Sequence, residues 1–140
     1  MNLLFLLILL ILLVAPATPA TLFVISGDVT CTFDRRFEFR ILVYEDDRLP
    51  LNELLLRTPI FWATESPHFY NITTSDTDDG ILNNYYELSF QVLHNCNSLG
   101  ENHNLNARFI LGDYPITHGT HYINFNINIT DKGTTWKKPI

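Results

Sequence analysis

Four of the five histidines, two cysteines, an acidic turn and two Asn-x-Thr sequons are the features whose residue types and spacing could support chemistry in this sequence. His118 and His121 are separated by a two-residue gap in a turn, and His94 and His103 flank a second loop, so imidazoles from both loops would meet around zinc if the loops converged. No thiolate reinforces such a cluster, and the plainer reading is of loop histidines, with His94 at a strand end hydrogen-bonded to backbone. Asp76, Asp78 and Asp79 precede Gly80, and Glu87 follows, which suggests a calcium loop. The loop fails by position: Gly80 stands where the fifth residue should be a ligand, and Ile81 where the sixth should be glycine. A solvated turn is expected there. Gly-x-Ser-x-Gly is absent, and no nucleophile has a base at a recognisable spacing. The sequence therefore predicts no catalytic residue, no metal site and no cofactor.

The cysteines are accounted for by a different chemistry. Residues Leu3 to Val14 form an unbroken apolar run, followed by Ala15, Pro16, Ala17, Thr18, Pro19 and Ala20. That pattern reads as a secretory signal peptide over 1–20, cut after Ala20, with one domain over 21–140. The run is shorter than the roughly 20 residues that span a bilayer, so a membrane anchor is not expected. A secreted chain with only Cys31 and Cys96 is expected to bridge them, which would stabilise it by roughly 4 kcal/mol on a chain-entropy argument. Asn71-Ile72-Thr73 and Asn128-Ile129-Thr130 are then candidate glycosylation sites at Asn71 and Asn128. The net charge of −6 argues against a nucleic-acid surface; Arg35, Arg36, Arg40, Lys137 and Lys138 form only local basic groups.

Strands must position these groups, because the dominant hydrophobic period is two. Phe37, Phe39, Ile41 and Val43 alternate with Glu38, Arg40, Leu42 and Tyr44, and Tyr86, Leu88, Phe90, Val92 and His94 alternate in the same way. Continuing that phase puts Cys96 inward, and the phase of Ile25, Gly27 and Val29 does the same for Cys31. Ala107 to Leu111 and Ile123 to Ile129 read as two further strands, the last with Asn128 facing outward between Ile127 and Ile129. Weaker strands are expected over Leu54 to Phe61 and Phe69 to Thr74. Turn signals fall between them, among them Ser66-Pro67, Asp78-Asp79-Gly80 and Gly112-Asp113-Tyr114-Pro115. The expected fold is an all-β antiparallel sandwich of about seven strands.

Several segments resemble the nematode transthyretin-like family of secreted proteins. Gly27-Asp28-Val29-Thr30-Cys31 is similar to its opening Gly-x-Leu-x-Cys strand, and Val43-Tyr44-Glu45-Asp46-Asp47 to the acidic strand end that follows. Val92-Leu93-His94-Asn95-Cys96-Asn97 resembles its Ile-x-His-x-Cys segment, and Arg108 to Leu111 with Tyr114, Ile116, Thr117 and Gly119 resembles its next strand and turn. Two further family cysteines are missing, and Thr64 to Phe69 lacks a family glycine, as in a divergent member. The resemblance implies a transthyretin-like β-sandwich, extracellular and without an enzymatic role. Hydrolases of 5-hydroxyisourate share that fold but need a C-terminal Tyr-Arg-Gly-Ser, where this chain ends Trp136-Lys137-Lys138-Pro139-Ile140.

The functional expectation is thus a secreted, non-catalytic binding protein whose partner is an extracellular protein or small ligand. The alternative is an extracellular carrier of small apolar ligands, which would need a pocket within the sandwich or between subunits; the 10 Phe, 6 Tyr and 2 Trp permit it. The loops expected to make contact are Asp46 to Leu51, Asp76 to Asn84 and Ser98 to Asn106, polar segments on a fixed scaffold.

Overall fold

A computed structural model describes residues 20–46, 52–77, 84–117 and 119–136. The segment up to residue 19 expected as a signal peptide, most of the first two candidate loops, His118 and the last four residues lie outside them.

The chain is all-β and forms two sheets. Its strands are β1 (Thr21–Thr30), β2 (Phe37–Glu45), β3 (Glu53–Arg57), β4 (Phe61–Ala63), β5 (His68–Asp76), β6 (Tyr85–His94), β7 (Leu105–Pro115), β8 (Thr120–Asn124), β9 (Ile127–Asn128) and β10 (Thr134–Thr135). The smaller sheet has the order β5-β1-β8, with β9 also on β1; the larger has the order β10-β7-β6-β2-β3, with β4 also on β2. Alternating residues face inward, as the period of two requires. Phe23, Ile25, Val29 and Tyr70 from one sheet meet Phe37, Phe39, Ile41, Val43, Tyr86, Leu88, Phe90 and Val92 from the other, all fully or almost fully buried. Phe23 stands edge-on to Tyr86 with ring centroids 5.3 Å apart, and Tyr70 meets Phe90 at 6.1 Å.

Three departures from simple alternation shape this frame. The stretch Leu54 to Phe61, expected as one strand, divides into β3 and β4 at Thr58-Pro59. Pro59 has no N–H to give a ladder, and the buried Thr58 takes over the pairing: its hydroxyl accepts from Ile41 N at 3.1 Å and donates to Pro59 O at 2.8 Å. The stretch Ile123 to Ile129 is also broken. At Phe125 the carbonyl turns toward β1, where a Cβ on Gly27 would lie 2.1 Å from it, so only glycine fits. Tyr70 Oη donates to that carbonyl, and Asn126 Oδ1 accepts from Asp28 N at 2.9 Å in place of a ladder bond. Finally, the expected turn over Gly112 to Pro115 is strand: β7 runs through it alongside β6, absorbing the extra residue at a register shift opposite Leu88/Ser89.

The pairing is not wholly antiparallel either. β8 and β9 run parallel to β1, with Ile25 opposite Ile123 and Val29 opposite Ile127. Alternation within a strand carries no information on this. The cause is the route of the chain: β7 ends opposite Tyr85, at the end of the sandwich where β1 begins, so the return strand starts where β1 starts.

Candidate functional site

The ends of strands gather the chemistry-bearing residues into two groups, one at each end of the sandwich. At one end β1 and β6 deliver Cys31 and Cys96, joined by a disulfide with S–S 2.02 Å and Cα atoms 6.0 Å apart. Both are buried. The segment after the bridge is held by side chains. Asn97, fully buried, donates through Nδ2 to His103 O at 2.6 Å and Asn95 O at 3.1 Å, and its Oδ1 accepts from Leu99 N at 2.9 Å. Asn95 Oδ1 accepts from Glu38 N at 2.7 Å. Arg35 donates to the carbonyls of Asn95 and Asn97, with its guanidinium 5.2 Å from the Phe33 ring centroid.

His94 sits beside this bridge with a buried ring whose Nε2 lies 3.0 Å from Lys132 O. A carbonyl can only accept, so Nε2 carries the proton. Nδ1 is buried without a partner. Burial lowers the His94 pKa below the usual 6.5, against a smaller upward pull from the Lys132 carbonyl and Asp131. His94 is therefore a neutral structural imidazole. His121, expected in a turn, lies on β8 and stacks on Phe23 with centroids 5.7 Å apart; its Nε2 contacts Pro115 O at 2.8 Å. His103 is an exposed loop residue whose carbonyl serves Asn97. The described histidines thus have separate duties rather than a shared centre.

The outer face of the large sheet carries a groove that sequence reasoning did not single out. It has a volume of about 270 Å³ and is lined by Glu38, Arg40, Ile60, Leu93, Asn104 and Trp136. Trp62, opposite Glu38 across β2 and β4, is 70% exposed beside a second groove that shares Glu38 and reaches Glu101. Arg40 Nε is buried without an acceptor. Of the three expected contact loops, Ser98 to Asn106 borders these grooves through Glu101 and Asn104. The signal in sequence was the outward phase of Arg40 and Trp62, which by itself only says that a residue faces away from the core.

At the other end the acidic turn proves to be divided. Asp76 points inward at the end of β5 and joins Glu45 and Glu53, with one carboxylate oxygen from each lying within 4.8 Å of the other two. Asp78, Asp79 and Gly80 fall outside the described residues. The sequons lie on the small sheet: Asn71, opposite Ser26 on the edge strand β5, and Asn128, opposite Thr30, are both exposed. Asn128 Oδ1 accepts from Thr130 N at 3.0 Å. Both side chains are accessible to modification, and a glycan on β5 would lie on an edge strand of the small sheet.

Comparison with curated proteins and with solved structures finds no match. A family model described as "Caenorhabditis elegans protein of unknown function (DUF870)" matches residues 26–138, nearly all of the domain built above, and the chain belongs to that nematode family.

Proposed function

We infer that the protein is a secreted, non-catalytic member of this family, a transthyretin-like sandwich that captures an extracellular partner on the outer face of its large sheet. One observation carries the reading: Arg40, with a buried Nε that has no acceptor, lines a groove walled by Ile60, Leu93 and Trp136 and flanked by the exposed Trp62. A buried donor left unmet costs free energy that a bound acceptor would recover. Exposed tryptophan beside arginine is the side-chain chemistry that dominates binding hot spots. A partner presenting a carboxylate next to an apolar side chain suits this surface. The disulfide and the apolar segment ahead of Thr21 support an oxidising, extracellular setting. The carrier alternative is less favoured, because Phe23, Tyr70, Tyr86 and Phe90 fill the space between the sheets where such a ligand would lie.

The test is capture from nematode extracellular extract by immobilised protein, read by mass spectrometry. Trp62→Ser and Arg40→Gln should each lower capture of a specific protein at least tenfold, while Tyr122→Ser, at an 81% exposed position on the small sheet, should leave it unchanged. Capture that survives both groove variants would move the contact elsewhere. Turnover of a substrate by the wild type, lost on a single substitution, would overturn the non-catalytic reading.

A further inference from the structure

The outer face of β2 carries charges of alternating sign. Glu38 and Arg40 face outward between the buried Phe37, Phe39 and Ile41, and the exposed Arg36 precedes them in the same phase. At about 3.3 Å per residue, neighbours in this row stand about 6.6 Å apart. Among the described residues none of the three takes part in an ion pair, and Arg40 Nε is buried without an acceptor. The two grooves of this face meet at Glu38, and each holds one arginine and one tryptophan: Arg40 with Trp136 in the first, Arg36 with Trp62 in the second. Trp62 also stands opposite Glu38, and Glu101 lines the same groove. A tryptophan face beside two carboxylates is a receptor for a cation. The row is short: beyond Arg40 the next outward position is Leu42, which is buried, and ahead of Arg36 the chain leaves the sheet.

We propose that this row binds an extended peptide segment of the pattern acidic-x-basic-x-acidic on the extracellular partner. The proposal rests on the capture face inferred above and names what that face recognises. An extended chain repeats its side chains on one face at the same spacing as β2. A segment laid along the strand therefore sets a carboxylate on Arg36, a basic side chain on Glu38 and a second carboxylate on Arg40. Sliding it by two residues brings like charges together, so the register is fixed by repulsion as well as by attraction. The central basic group is held by Glu38 and Glu101 against the Trp62 ring. The acid on Arg40 rests its methylenes on Ile60 and Leu93 and gives Arg40 Nε its missing acceptor. Side chains alone do the recognising. β2 is paired with β6 on one flank and with β3 and β4 on the other, so the segment lies over a paired strand rather than adding to a sheet edge.

The experiment uses the whole folded protein with its disulfide intact and synthetic peptides blocked at both ends, followed by tryptophan fluorescence. A peptide with the core Glu-Thr-Lys-Thr-Glu should bind saturably below about 1 mM. It should bind at least about tenfold more tightly than its rearranged isomer Lys-Glu-Glu-Thr-Thr, and added salt should weaken it. Glu38→Lys should lose the core peptide and gain Glu-Thr-Glu-Thr-Glu, and Arg40→Glu should likewise exchange its preference to Glu-Thr-Lys-Thr-Lys. Such a gain reports contact, because a misfolded variant binds neither peptide. No saturation by the wild type, equal binding of the isomer, or failure of both exchanges overturns the proposal. The fate of the capture face is read separately. Where capture from extract depends on Trp62 and Arg40 but the peptides fail, the face stands and this motif is wrong; where capture ignores both groove variants, the face itself fails. Capture that glycosidase treatment of the extract abolishes points to a saccharide and also overturns the peptide motif.

Discussion

The two ends of the sandwich are closed by opposite means. At the Cys31–Cys96 end, a covalent bond is surrounded by neutral amides and one arginine that meet the carbonyls of the loop after it. At the Glu45–Asp76 end, among the described residues, a threonine hydrogen bond links the sheets beside a group of three carboxylates. The first arrangement is set by a covalent bond, whereas the second brings together ionisable side chains whose energy depends on how well they are solvated and paired. A small sandwich can therefore close its two ends with different chemistry.

The comparison is broken most severely by Cys96→Ser. It should destabilise the domain by about 2–5 kcal/mol in denaturant unfolding. Asn97→Ala comes next: Leu99 N and the carbonyls of Asn95 and His103 lose a partner, at about 2–3 kcal/mol. Thr74→Val tests the stitch at the acidic end and should cost about 1 kcal/mol, the worth of a single hydrogen bond. Asp46 and Arg108, paired at 2.5 Å on the outer face with Arg108 half exposed, should contribute less than about 1 kcal/mol, so Arg108→Ala should barely shift the midpoint. Acid sharpens the contrast further. His94 has a lowered pKa when folded, so the unfolded chain takes up its proton first: its contribution is complete above about pH 6.5 and is lost as pH falls from there toward the folded value. In a pH series of unfolding midpoints, His94→Gln should flatten that part of the acid limb.

The closed end was much more legible in the sequence than the open one. Phase alone places Cys31 and Cys96 inward, because Tyr86, Leu88, Phe90, Val92 and His94 are all buried and the bridge lies two positions beyond. The strand pattern also finds β2, β6 and the core of β1. It fails where a side chain substitutes for the ladder: Thr58 and Asn126 supply hydrogen bonds that a regular strand would take from backbone, and neither residue type announces this. The parallel placement of β8 beside β1 depends on where β7 ends, a long-range fact. The acidic group is hidden for the same reason. Its members come from separate strands, and Asp76 was read with its sequence neighbours Asp78 and Asp79 rather than with Glu45 and Glu53. The groove escapes notice because Arg40, Ile60, Leu93 and Trp136 come from distant parts of the sequence and line one groove only once the large sheet is assembled.

The parallel pairing of β1 with β8 and β9 also sets an order of assembly. Synthesis delivers β1 first and its two parallel neighbours almost last, with Asp28 and Asn126 joined across 98 positions. Through most of that interval β1 has one flank paired at most, while in the large sheet β2 with β3, and β6 with β7, can already zip together as neighbouring hairpins. The small sheet is thus the late-forming half, and its unfinished strand edge is the part of the nascent chain most exposed to wrong pairing. Removing the chain from Thr120 onward would leave that edge permanently open, so a shortened product should aggregate rather than persist as a smaller sandwich.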